Sequence, residues 1–146
     1  MSTKRLVTGA LVGTIALYAI GYLIFELAFA SFYAANVGSA TGVLRESNLV
    51  WATVLHNLSE AVLVTLALNC ARASSIAQGF KIGAIVGFLV WFTADFGYYN
   101  FTNVFNLTVT VVDPFLELVH HGIGGAIIVA VIGKNAPSAS TGVGNP

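Results

Sequence analysis

The chain has 146 residues, of which 57% are hydrophobic and 8% charged, with a formal net charge of zero and a mean hydropathy of +0.86. Soluble domains carry about 25% charged residues, so this composition excludes a water-facing globular surface and points to lipid as the solvent. Balanced charge leaves no electrostatic footprint for nucleic acid, and the single cysteine, Cys70, excludes an internal disulfide.

Four apolar runs, 6–35, 49–71, 80–99 and 114–133, each reach the roughly 20 residues that cross a bilayer as a helix. None alternates with period two, so helices are expected and not a barrel. The first run follows Lys4 and Arg5 and carries Gly9 and Gly13 at the GxxxG spacing that lets helix backbones approach. It is longer than the apolar region of a secretory leader and contains Glu26, so it reads as a retained span. In the second run His56 and Glu60 stand four apart, on one helical face with Thr53. The third holds a second GxxxG, Gly83 and Gly87, then Trp91 and Asp95 one turn apart.

Residues 100–112, rich in β-branched and aromatic side chains, read as an extended or partly inserted outer connection. Asp113-Pro114 then reads as the N-cap and first position of the fourth helix. Along that helix Asp113, Glu117, His120 or His121 and Gly124 form one stripe. Beyond it, 136–146 is small, polar and glycine-rich and is expected to be a disordered cytoplasmic tail.

The expected architecture is therefore all-α: an integral membrane four-helix bundle, up-down-up-down, forming a single domain over residues 1–135. Lys4, Arg5, Arg72, Lys81 and Lys134 fall on one side and only Arg45 on the other. The positive-inside rule then puts both termini in the cytoplasm of what reads as a bacterial inner membrane.

The acids behave differently from the bases. Glu26, Glu60, Asp95 and Glu117 fall inside the runs, as do His56, His120 and His121, with no lysine or arginine to pair with them. Four unpartnered carboxylates would cost on the order of 10 kcal/mol, comparable to a domain's whole stability. A proton, a wet cavity or a bound cation must offset this. One acid from each helix at similar depth predicts a single site, and Glu117-x-x-His120 has the spacing of carboxylate-bridged di-metal bundles.

The preferred reading is an intramembrane metal site, redox or hydrolytic, with Glu26, His56, Glu60, Asp95, Glu117 and His120 as ligands and Asp113 and His121 in support. Carboxylate with imidazole suits iron, manganese or zinc. His121 is expected to pack or support, since adjacent helical residues point about 100° apart. The alternatives are a proton or cation pathway on the same residues, neutral carboxyls gluing helices together, and haem held by His56 and His120 or His121. A non-catalytic subunit of a larger membrane complex, or a homo-oligomer, also fits so small a chain with GxxxG faces.

"FGYYNFTN" (96–103) followed by "VTVVDP" (109–114), together with "FELAFASFY" on the first run, resembles a bacterial family of small four-helix membrane proteins, domain-of-unknown-function family 2177. Its members carry a Tyr-Asp-Leu-Thr-Asn-like run and then an aspartate opening the last helix. They usually have Asp where this chain has Glu26, and Trp where it has Leu116 and Glu117. The histidine-rich last helix departs from that pattern. The resemblance implies the four-helix topology and no particular activity.

Overall fold

Three polar side chains set where the long helices begin. Ser2 accepts from Arg5 N (3.4 Å), Ser75 from Gln78 N (3.2 Å) and Asn106 from Val109 N (3.1 Å), each satisfying a backbone donor that a helix start leaves free. In this computed structural model, which describes residues 1–43 and 45–133, the elements are α1 (Thr3–Gly21), a π-helical segment (Tyr22–Ala28), α2 (Ala30–Ala35), α3 (Val50–Cys70), α4 (Ile76–Phe101) and α5 (Leu107–Ile132). No strand occurs among the described residues; Val37 and Phe105 form an isolated bridge. Four helical stretches, Thr3–Ala28, Val50–Cys70, Ile76–Phe101 and Leu107–Ile132, are long and apolar enough to cross a membrane. The expected tail, 136–146, lies outside the described residues, as does Lys134.

Two expectations are corrected. The first run is not one helix over 6–35. It widens after Gly21 into π turns, where Phe29 N donates to Ile24 O, five residues back, at 2.8 Å, and it breaks at Phe29. The second correction concerns the last helix, which begins at Leu107 and not at Asp113-Pro114. The Asn106 cap starts it earlier, and Thr110 Oγ1 also donates back to Asn106 O (3.0 Å). Pro114 is thus inside α5 and fully buried. Its ring nitrogen cannot bond the Thr110 carbonyl, a loss that packed membrane helices tolerate. Asp113 becomes a buried helical residue instead of a cap. The outer connection shrinks to 102–106 and is tied to the segment after α2 by Gly38 N→Val104 O (2.8 Å) and Ala40 N→Asn103 O (3.0 Å).

Helix α5 is the hub. Half of its apolar window, 50%, is buried, against 22–28% for the other three. The α4–α5 seam is built on a stripe of three glycines. Gly79 faces Gly125 O, Gly83 faces His121 O and Gly87 faces His121 Cβ and Glu117 O. Residue numbers rise along one helix as they fall along the other. A Cβ at any of these glycines would collide with α5 backbone or with His121. On the other side, Gly9 and Gly13 of α1 bear on Thr65 and Ala61 of α3, and Leu17 lies over Gly124 of α5. Beyond the histidines, Val64, Leu68, Ala73, Ile128, Val129 and Ile132 form a dry core. The outward faces carry Ile15, Leu23, Leu89, Phe101 and Phe115, all exposed. This inside-out distribution suits contact with lipid.

Candidate metal centre

Glu117, His120 and His121 occupy consecutive turns of α5 at spacings of three and four. Residues at i+3 and i+4 flank residue i on either side, so both imidazoles reach the same carboxylate. Glu117 Oε2 is 2.8 Å from His120 Nδ1 and 3.0 Å from His121 Nδ1. His121, expected as a supporting residue, thus reaches the same carboxylate as His120. The 100° between neighbours places them on opposite flanks of Glu117, not on opposite sides of the bundle. Each of the three offers a ligand atom within 4.8 Å of the others, and all three are buried. The group could hold a metal ion.

The walls explain the burial. Gly83 and Gly87 bring α4 down onto His121. The α1 backbone closes the other side at Gly21, and the Phe25 ring meets His120 edge-on at 5.6 Å. His120 Nε2 lies 2.8 Å from the carbonyl oxygen of Leu17. A carbonyl only accepts, so this nitrogen carries a hydrogen and the lone pair of a neutral ring is on Nδ1. That lone pair faces Glu117 Oε2. Two acceptors at 2.8 Å need a positive charge between them, which a proton or a metal ion can supply.

Glu60 extends the group onto α3. It is 8% exposed, its Oε1 accepts from Trp91 Nε1 at 3.0 Å and lies 3.4 Å from His121 Nε2. His56 Nε2 stands 3.2 Å from Oε2, and the His56 ring meets Trp91 edge-on at 5.6 Å. Of the six expected ligands, Glu117 and His120 therefore belong to the group, and Glu60 and His56 adjoin it through His121.

The other two lie elsewhere. Glu26 is exposed and accepts from Asn48 Nδ2 (3.0 Å). Its residue sits in the π-helical segment, whose altered phase no helical-wheel argument anticipates. Asp95 of α4 neighbours Asp113 of α5, and the Tyr33 hydroxyl donates to Asp113 Oδ1. Tyr33 lies beyond the first span, where burial and the adjacent Asp113 push its phenol pKa well above the ordinary range.

A groove of about 390 Å³, lined by Phe80, Ala84, Phe88 and Leu118 among others, lies on an apolar face and has no histidine in its lining.

Three participants escaped the sequence reading. Tyr33 falls within an apolar run of the sequence, and its phenol is the available signal. Gly79 extends the stripe of Gly83 and Gly87 by the same four-residue step and was legible. The Leu17 carbonyl has no sequence signature at all. No protein-family model, no curated protein and no solved structure matches this chain.

Proposed function

We propose that this chain binds a transition-metal ion within the membrane, at Glu117, His120 and His121. The observation that carries the reading is the Glu117 carboxylate held 2.8 and 3.0 Å from two buried imidazole nitrogens, with no lysine or arginine paired to it among the described residues. Mixed carboxylate and imidazole donors suit iron, manganese or zinc. The Leu17 carbonyl on the far nitrogen of His120 has the place of the outer partner that orients a metal-bound histidine. A redox or hydrolytic role is consistent with these donors. The four spans run up-down-up-down with both termini in the cytoplasm, in a bacterial inner membrane, as the basic residues direct. Kinship with domain-of-unknown-function family 2177 belongs to the same proposal and adds topology only.

Elemental analysis of detergent-purified protein tests this. Wild type should carry near-stoichiometric metal, and Glu117→Ala and His120→Ala should each lose it. A folded wild type that takes up none of the three metals would overturn the reading.

One observation favours a second reading, a proton or cation pathway. His56, Glu60, His121, Glu117 and His120 form an unbroken alternation of imidazole and carboxylate with contacts of 2.8–3.4 Å. Proteoliposome conductance driven by a pH gradient, in metal-free protein, would favour that reading over the first.

A further inference from the structure

The two ends of the bundle differ in charge. Gly9 bears on Thr65 and Gly13 on Ala61, so α1 and α3 run antiparallel, and the start of α1 lies at the same end as the turn from α3 to α4. Lys4, Arg5, Arg72 and Lys81 therefore gather at one end. No acid accompanies them there. Glu60 and Glu117 sit near the middles of their helices, and Glu26, Glu46, Asp95 and Asp113 lie towards the opposite end. Among the described residues no ion pair involves Lys81.

Lys81 also lines the groove of about 390 Å³ on the α4–α5 face, and it is the only polar side chain to do so. Phe80, Ala84 and Phe88 follow at four-residue steps along one row of α4. The Phe80 ring bears on Gly122 of α5, and the Phe88 ring meets Phe115 of α5 edge-on at 5.3 Å. Both rings are thus tied across the seam, and the small Ala84 leaves a slot between them, with Leu118 of α5 completing its lining. Lys81, Ile85 and Leu89 form the parallel row on the lipid-facing side, exposed throughout. From Lys81 to Leu89 the slot follows about 12 Å of the helix axis.

We propose that this groove seats one acyl chain of an anionic phospholipid, with the Lys81 ammonium on the headgroup phosphate. An acyl chain in a bilayer lies along the same axis as a spanning helix, which is the direction of the slot. The apolar lining suits hydrocarbon and offers nothing to a polar ligand. Lys81 is six residues into α4, close enough to the helix end for its methylenes to lie along the groove while the ammonium reaches the membrane edge. A cation at the rim with no acid beside it favours a headgroup of uncompensated negative charge over a zwitterionic one. A second copy of this chain in the same orientation is the poorer occupant, because its matching end would bring base against base. The inference does not depend on the metal centre.

Native mass spectrometry of the full chain tests it, in detergent with equal amounts of phosphatidylglycerol and phosphatidylcholine of matched acyl chains. Wild type should retain one phosphatidylglycerol per chain, about fivefold in preference to phosphatidylcholine, the weight of one basic residue beside an anionic headgroup. Lys81→Gln, at an exposed and unpaired position, should bring that ratio to about one without disturbing the fold. Lys4→Gln, at the same end but outside the groove, should leave it at the wild-type value. Ala84→Leu sends a longer side chain into the slot and should reduce retention of both lipids. Equal retention of the two lipids by wild type overturns the proposal. A ratio lowered as much by Lys4→Gln as by Lys81→Gln also overturns it, since the preference then belongs to the whole basic end. Retention unchanged in Ala84→Leu overturns the groove as the seat of the chain. A wild-type dimer that Ala84→Leu converts to monomer gives the groove to a second copy instead.

Discussion

Replacing Gly87 by alanine puts a methyl group where α4 meets the metal-binding stretch of α5. The added Cβ would lie 2.5 Å from His121 Cβ and Cγ and 2.6 Å from Glu117 O. Ordinary van der Waals contact begins near 3.4 Å, so the helices must part by about 1 Å, and none of these atoms is the free end of a flexible side chain. Overpacking of this kind costs about 1–3 kcal/mol. The proper control is Gly97→Ala in the same helix, where nothing lies within 4 Å of the new methyl. Both substitutions gain the same helix preference of alanine over glycine, about 1 kcal/mol, so their difference isolates the seam. Unfolding titrations in mixed detergent micelles should place Gly87→Ala about 1–3 kcal/mol below Gly97→Ala. Gly97→Ala should be level with wild type or slightly above it. Metal occupancy should fall in Gly87→Ala alone, because His121 moves with the displaced backbone. Equal stability of the two variants would refute the close α4–α5 approach and the burial of the site that depends on it.

Other perturbations separate the parts of the molecule. Tyr33→Phe removes the donor to Asp113 Oδ1 and should cost about 1–3 kcal/mol in the same titration. The folded-state pKa of Tyr33 is raised above its unfolded value, so its contribution is whole below about pH 10 and is lost as pH climbs further. The gap between wild type and Tyr33→Phe should accordingly narrow in alkaline buffer and stay constant between neutrality and that point. Asn106→Ala removes both the cap of α5 and the Asn36 contact at 3.2 Å. It should lower stability by about 0.5–2 kcal/mol, with hydrogen exchange rising first in the first turn of α5. Glu26→Gln should leave metal content at the wild-type level in elemental analysis, because its carboxylate is exposed and bonded to Asn48.

Much of the site's chemistry was legible before any fold was known. Glu117, His120, His56 and Glu60 stood out because each is an ionisable group in a run otherwise given over to lipid, and their intervals of three and four put them on shared faces. Convergence of all four acids was not legible. It depends on the rotation of each helix about its axis, and small changes in phase decide it. The π-helical turns after Gly21 reset that phase for Glu26. The extension of α5 back to Leu107 placed Asp113 inside the helix, one turn from Glu117 and against Asp95. The acids therefore divide between a Glu60–Glu117 group bound by imidazoles and an Asp95–Asp113 pair bound by Tyr33.

The sequence by itself determined the class of molecule. Runs of about 20 apolar residues with 8% charge overall give helices long and apolar enough to cross a membrane, and that argument needs no tertiary contact. It also determined which residues carry the chemistry, since composition alone makes a buried carboxylate conspicuous. Tertiary structure decided who partners whom. Glycines at 79, 83 and 87 let α4 press onto His121, Leu17 offers a backbone carbonyl to His120, and Trp91 steadies Glu60 across a helix boundary. Each of those contacts joins residues far apart in the chain, and their geometry follows from how closely helix backbones approach, a quantity that no single helix contains.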